Sequence, residues 1–160
     1  MNIFLDIDGV ICTMRACIAS GQRGCWMSAF DQTSMQFLNR ICIEFPETKI
    51  IISSTWRHGK NREYFYVLFA SAGYGQLANA IHKDWKTDDI VISKNQFRGY
   101  EIEKWLLDHD AIDDPYIILD DDSDMLDYQK DKFVRTDCHE GITSKNMRRI
   151  FELYGDVTKA

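Results

Sequence analysis

Asp6 and Asp8 stand two residues apart in Asp6-Ile7-Asp8-Gly9, directly behind the apolar run Ile3-Phe4-Leu5. In an extended backbone both carboxylates leave one face while Ile7 points the other way. Charges held so close repel, and the repulsion is relieved by a divalent cation or by one carboxyl keeping its proton. Both remedies suit phosphate chemistry. A metal screens the phosphate so that a carboxylate can attack it, and a protonated neighbour donates to the leaving oxygen.

A second acidic cluster, Asp120, Asp121, Asp122 and Asp124, follows the apolar run Ile117-Ile118-Leu119. Residues 108 to 131 carry ten aspartates and one lysine, Lys130, so local charge neutralisation by side chains is scarce there. A solvated loop would account for Asp108, Asp110, Asp113 and Asp114. Asp120 is different, because a charge abutting an apolar strand is costly without a partner. A hard cation with oxygen ligands, Mg²⁺ by preference, is the economical explanation for Asp120, as it is for the Asp6 and Asp8 pair.

D-x-D-G by itself is equally a turn after a strand; its position is what gives it meaning. Ile3 to Leu5 and Lys49 to Ile52 read as buried parallel strands, and Tyr116 to Leu119 as a third. Asp89 to Ser93 reads as a weaker strand and Lys132 to Arg135 as a further one. Between them, Met35, Leu38, Ile41 and Cys42 recur at helical spacing behind Thr33 and Ser34 as caps, with Pro46 closing the segment. Asn61 to Ala72, stopping at Gly73, and Arg98 to His109 read as helices, and Thr143 caps a last one carrying Met147, Ile150, Phe151 and Tyr154. Cys12 to Gln32, with Gly21 and Gly24, has no clean period and reads as an irregular flap. Strands alternating with helices predict a parallel sheet covered on both faces. Ligands bind beyond the carboxyl ends of such strands, where the acidic clusters and Ser53-Ser54-Thr55-Trp56-Arg57 fall.

The composition agrees with one α/β domain over residues 1–160: of 160 residues, 45% are hydrophobic and 28% charged, enough for a core and too apolar for a disordered chain. No run of ~18 apolar residues exists to span a membrane. Met1 to Val10 lacks the basic region of a secretory signal, so a cytoplasmic location is expected. Five cysteines, an odd number with no C-x-x-C pair, speak against a disulfide framework or zinc knuckle. A net charge of −6 weighs against bulk electrostatic binding of long nucleic acid, while small phosphorylated substrates stay open.

With these residues in place, the chain resembles the haloacid dehalogenase (HAD) superfamily of phosphohydrolases. D-I-D-G-V resembles the first motif, which implies Asp6 as nucleophile forming a phosphoaspartyl intermediate and Asp8 as general acid and base. The strand ending in S-S-T-W-R resembles the second, implying that Ser54, favoured over Ser53, binds the phosphoryl group, with Thr55 and Arg57 beside it. R-G-Y-E-I resembles the third, where family members commonly have Lys before such a glycine. Arg98 stands there instead, with Lys94 and Lys104 in reserve; Arg is planar and bidentate where Lys is a point charge. I-L-D-D-D-S-D-M resembles the fourth, implying Asp120 or Asp121, with Asp124 in support, near Mg²⁺.

The resemblance implies a Rossmann-like three-layer sandwich. Within the superfamily, the strings are most similar to small capless HAD domains of phages and bacteria and of RNA repair proteins. The intervals between the motifs are largely used by the helices, flap and weak strand already assigned, so no large cap domain is expected. Arg15, Arg23 and Trp26 are the flap residues that would face substrate, while Trp56 either stacks on a base or packs beneath the site. Retention of Asp8, which dehalogenases of the superfamily lack, favours phosphate transfer. Three readings follow: a Mg²⁺-dependent phosphatase acting on a nucleotide or nucleic-acid terminus, a phosphotransferase, and a nucleotide-sequestering module.

Overall fold

The computed structural model describes residues 1–21, 29–90 and 97–157. The flap residues Arg23 and Trp26 and the reserve cation Lys94 lie outside them.

Ile3 to Leu5, Ile50 to Ile52 and Ile117 to Leu119 are unbroken apolar runs and are completely buried. Strands covered on both faces require such runs. They belong to β1 (Asn2–Leu5), β2 (Lys49–Ile52) and β4 (Tyr116–Asp120), which with β3 (Ile81–Lys86) and β5 (Phe133–Arg135) form an all-parallel sheet in the order β3-β2-β1-β4-β5. Leu5 is level with Ile52 on one side and Leu119 on the other. The residues that follow all three strands therefore emerge at one sheet edge.

The helices are α1 (Met14–Ala19), α2 (Gln32–Glu44), α3 (Arg62–Ser71), α4 (Gly75–Ala80), α5 (Arg98–Asp108) and α6 (Ser144–Val157). Side chains alternate across a strand. Ile3 and Leu5 pack with Met35, Leu38, Leu77, Ile150 and Tyr154 from α2, α4 and α6. Phe4, Ile51 and Ile118 meet Ile102, Trp105 and Leu106 of α5 on the other face. The result is the expected Rossmann-like α/β/α sandwich, and among the described residues no large cap stands over the strand ends.

The sheet departs from expectation at its edge. Asp89 and Ile90 are not in a strand, and Val91 to Ser93 lie outside the described residues; the third strand is Ile81–Lys86. Its His82, Lys83 and Asp84 dilute the apolar signal, as suits an edge strand that must not pair further. The segment read as irregular contains α1, begun by Thr13, whose hydroxyl accepts from Ala16 N–H at 3.1 Å. Short α4 was not foreseen either. Helix α2 is capped by Asp31 rather than by Thr33 or Ser34: Asp31 Oδ1 accepts from Ser34 N–H at 2.9 Å. Ser34 instead accepts from Ile142 N–H at 2.9 Å, tying α2 to the chain entering α6. Thr143 begins α6 as read: its hydroxyl accepts from Asn146 N–H at 3.4 Å, and Asn146 Oδ1 accepts from Thr143 N–H at 2.9 Å. Among the described residues no helix is long and apolar enough to cross a membrane.

Candidate active site

The chain turns sharply after β1. Gly9 has φ +71°, and a Cβ there would lie 2.2 Å from Asp121 Cγ, so only glycine lets the two acidic segments approach. Thr136, just past β5, donates from its hydroxyl to the Gly9 carbonyl at 2.9 Å and fixes the turn from the other side.

Three strand ends meet here. Asp6, Asp120 and Asp121 each offer a carboxylate oxygen within 4.8 Å of the others. Asp120 is buried; its Oδ1 accepts from Asp122 N–H at 3.0 Å, while Oδ2 is buried with no hydrogen-bond partner. Burial and then the Asp6 charge push the Asp120 carboxyl up to about 8, against the opposing Asp122 N–H and Arg98. Burial raises Asp6 to about 6, although the Ser54 hydroxyl, Arg98 and the Ile7 N–H favour its anion. Asp121 is also raised, by burial and by Asp122. A set made only of oxygens, with one buried oxygen that accepts no hydrogen bond and carboxyls that resist ionising together, fits a hard divalent cation such as Mg²⁺.

Asp8 and Asp124 stand outside that trio. Asp8 Oδ2 accepts from Trp56 Nε1 at 3.0 Å, while Oδ1 is buried without a partner. Burial raises this carboxyl against the Trp56 donor. Asp124 works at the start of α5: its Oδ2 accepts from Arg98 N–H at 2.8 Å, satisfying a helix-terminal donor that Phe97, the residue at the cap position, cannot serve. Gly99 lets α5 press on residues 126–129, since a Cβ there would sit 2.6 Å from Leu126 N.

Ser54 is the hydroxyl the structure brings to Asp6, and it also accepts from Trp56 N–H at 3.4 Å. Ser53 Oγ is buried without a partner. Thr55 is exposed and opens the 3-10 turn of residues 55–57. Arg98 reaches the cluster, with Nε 3.6 Å from Asp120 Oδ2. Burial works against its charge, but Glu101, Asp6 and Asp120 more than offset this. Lys104 faces away, paired with Asp108 and, at 3.5 Å, with Asp88.

Arg57 is not brought to the acidic cluster. Only 2% exposed, it lies behind Arg98, pairing with Asp89 and donating to Glu101 Oε2 at 3.1 Å. The same Glu101 oxygen accepts from Arg98 Nη1 at 2.6 Å. Glu101 was missed; its position three residues after Arg98 on one helix face was the available signal. No sequence feature announced the Trp56 contact to Asp8. Trp56 also packs on the core and on Phe30, with ring centroids 6.3 Å apart.

The arrangement can hold a phosphoryl group between an anionic carboxylate, a hydroxyl and a guanidinium, with a second carboxyl alongside to carry a proton. No curated protein and no solved structure matches the chain. The family described as the HAD domain in Swiss Army Knife RNA repair proteins matches residues 2–147, all four motifs included. With nearly the whole length and every strand of the sheet inside that match, the chain belongs to this family of HAD domains.

Proposed function

We propose that the protein is a Mg²⁺-dependent phosphatase that hydrolyses a phosphomonoester of a nucleotide or nucleic-acid end through an aspartyl phosphate. The convergence of Asp6, Asp120 and Asp121 at aligned strand ends, with Arg98 3.6 Å from Asp120, carries the reading. Family membership points the same way at the level of a phosphohydrolase-type domain.

Asp6 is the nucleophile: burial raises its carboxyl to about 6, which leaves it anionic near neutrality, and the Ser54 hydroxyl, Arg98 and the Ile7 N–H favour that anion. Its carboxylate oxygen bonds to phosphorus as the bond from phosphorus to the ester oxygen breaks. Asp8 is the acid: burial favours its neutral form and Trp56 alone opposes, so it can give its proton to the departing alkoxide. Asp8, now anionic, takes a proton from water as that water attacks the aspartyl phosphate and frees Asp6. Ser54 and Arg98 hold the phosphoryl oxygens. Asp6 and Asp120 or Asp121, with Asp8 and Asp124 beside them, would hold Mg²⁺, which would supply positive charge against the phosphate.

The test is inorganic phosphate release from nucleoside monophosphates and end-phosphorylated oligonucleotides, with Mg²⁺ or EDTA. Wild type should release phosphate only with Mg²⁺, and Asp6→Asn should lose at least about 1,000-fold while keeping its circular dichroism spectrum. A folded Asp6→Asn protein with wild-type turnover would sink the mechanism.

A further inference from the structure

Trp56 has a second face. Its indole N–H holds Asp8 at 3.0 Å, and its ring also forms part of a surface depression of about 300 Å³ with Thr55, His58, Lys60 and Tyr64. We propose that this depression binds the nucleoside that carries the scissile phosphate, whether free or at the end of a polynucleotide. The inference rests on the phosphatase reading.

Direction comes first. In an in-line displacement the attacking and departing oxygens lie on opposite sides of phosphorus. Asp6 is on the attacking side, so the ester oxygen leaves on the side of Asp8, whose carboxylate is tied to Trp56. The alcohol half of the substrate is thereby directed toward the Trp56 wall.

The chemistry of that wall is selective. Trp56 and Tyr64 offer ring faces, and a base can stack on either without hydrogen-bond readout. Both rings have aromatic neighbours: Trp56 leans on Phe30, and the Tyr64 ring meets Phe65 edge-on with centroids 5.2 Å apart. Lys60 Nζ sits 4.6 Å from the centroid of the Tyr64 ring and has no carboxylate partner among the described residues. Its charge is available to a phosphodiester. The His58 ring is engaged by Asp89.

A larger depression of about 550 Å³ lies on the opposite flank. Asp121, Asp122, Asp137 and Glu140 line it and outnumber its Arg135 and Lys145, so its net charge is negative and disfavours the approach of a polyanion from that side. Aromatic faces with a lysine free of carboxylates on one flank, against a net acidic lining on the other, favour the Trp56 side for a nucleotide.

The experiment compares phosphate release from adenosine 3′-monophosphate, adenosine 5′-monophosphate, ribose 5-phosphate and a 3′- or 5′-phosphorylated tetranucleotide by wild type, Tyr64→Ala, Tyr64→Phe and Lys60→Ala. In Tyr64→Ala, kcat/KM for the better adenosine nucleotide should fall about 10-fold relative to ribose 5-phosphate, mostly through KM, and Tyr64→Phe should restore it. Loss in Lys60→Ala confined to the tetranucleotide assigns the site to a strand end; equal loss on mononucleotides assigns it to free nucleotides. Release that persists with an unaltered nucleotide-to-ribose ratio in Tyr64→Ala overturns the subsite and leaves the phosphatase standing. If wild type releases no phosphate from any substrate, the phosphatase reading fails. Calorimetric binding of adenosine monophosphate then decides the subsite: loss of binding in Tyr64→Ala upholds it, and equal or absent binding overturns it.

Discussion

A buried arginine and a part-buried one share one carboxylate oxygen in this protein. Glu101 Oε2 receives Arg98 and Arg57, and Arg57 follows Trp56, which holds Asp8. The segment from Ser54 to Arg57 thus touches Asp6, Asp8 and, through Glu101, Arg98. Removing one partner from such a buried group leaves charge uncompensated. Glu101→Gln should cost about 3 kcal/mol of stability in urea unfolding and lower phosphate release more than 10-fold under conditions where the variant is folded. Full activity in the folded variant would mean that Arg98 does not depend on Glu101. Asp6 and Asp8 were legible because their spacing alone puts both on one face. Arg57 was misplaced because a charged residue beside a phosphate-binding serine reads as a ligand contact, and nothing nearby in the chain reveals Glu101 and Asp89 closing around it.

Asp31 organises the elements behind the site. It caps α2 and also receives Arg15 Nη2 at 2.8 Å and the Thr13 hydroxyl at 3.2 Å, fastening α1 to α2. Burial would raise the Asp31 carboxyl, but the Ser34 N–H, Arg15 and Thr13 donors outweigh it and hold the group below its usual range. A depressed carboxyl stabilises the fold above its unfolded value of 3.8, and that contribution is lost as pH falls through the lower folded value. Asp31→Ala should therefore lower stability by about 1–2 kcal/mol near neutrality, with the difference from wild type shrinking below about pH 4 in denaturant titrations. A difference that stays constant down to pH 2 would show that the carboxylate charge contributes nothing. Elements with long apolar runs or clear helical stripes, such as β1, β4, α2 and α5, were readable. Helices α1 and α4 were not, being six residues each, too short to show a period. Strand β3 was displaced because an edge strand need not be apolar.

Across the whole molecule the net charge is −6, and the carboxylates concentrated at the ends of β1 and β4 make the metal-free fold pH-sensitive. Asp120 has a folded value of about 8 against 3.8 unfolded, so the native state holds that proton more tightly and its contribution to stability is lost as pH rises between those values. In EDTA at pH 8, Asp120→Asn should raise the melting temperature by at least about 3 °C, which for a domain of this size corresponds to roughly 1 kcal/mol. The gain should vanish near pH 4, and added Mg²⁺ should stabilise wild type more than the variant. An Asn variant that melts lower at pH 8 in EDTA would contradict the repulsion described above.

Strand β1 comes first in the chain and lies in the middle of the sheet. Its partner β2 follows some forty residues later, but β4 closes the other side only after Leu119 has been made. Sheets joined by such distant pairings fold slowly, since loop closure must precede the contacts that reward it. A nascent chain leaving the ribosome therefore keeps Ile3, Phe4 and Leu5 with an open, sticky border until β4 has emerged. The pairing that seals that border is the same event that carries Asp120 and Asp121 up to Asp6, so the site comes together only as the sheet is completed.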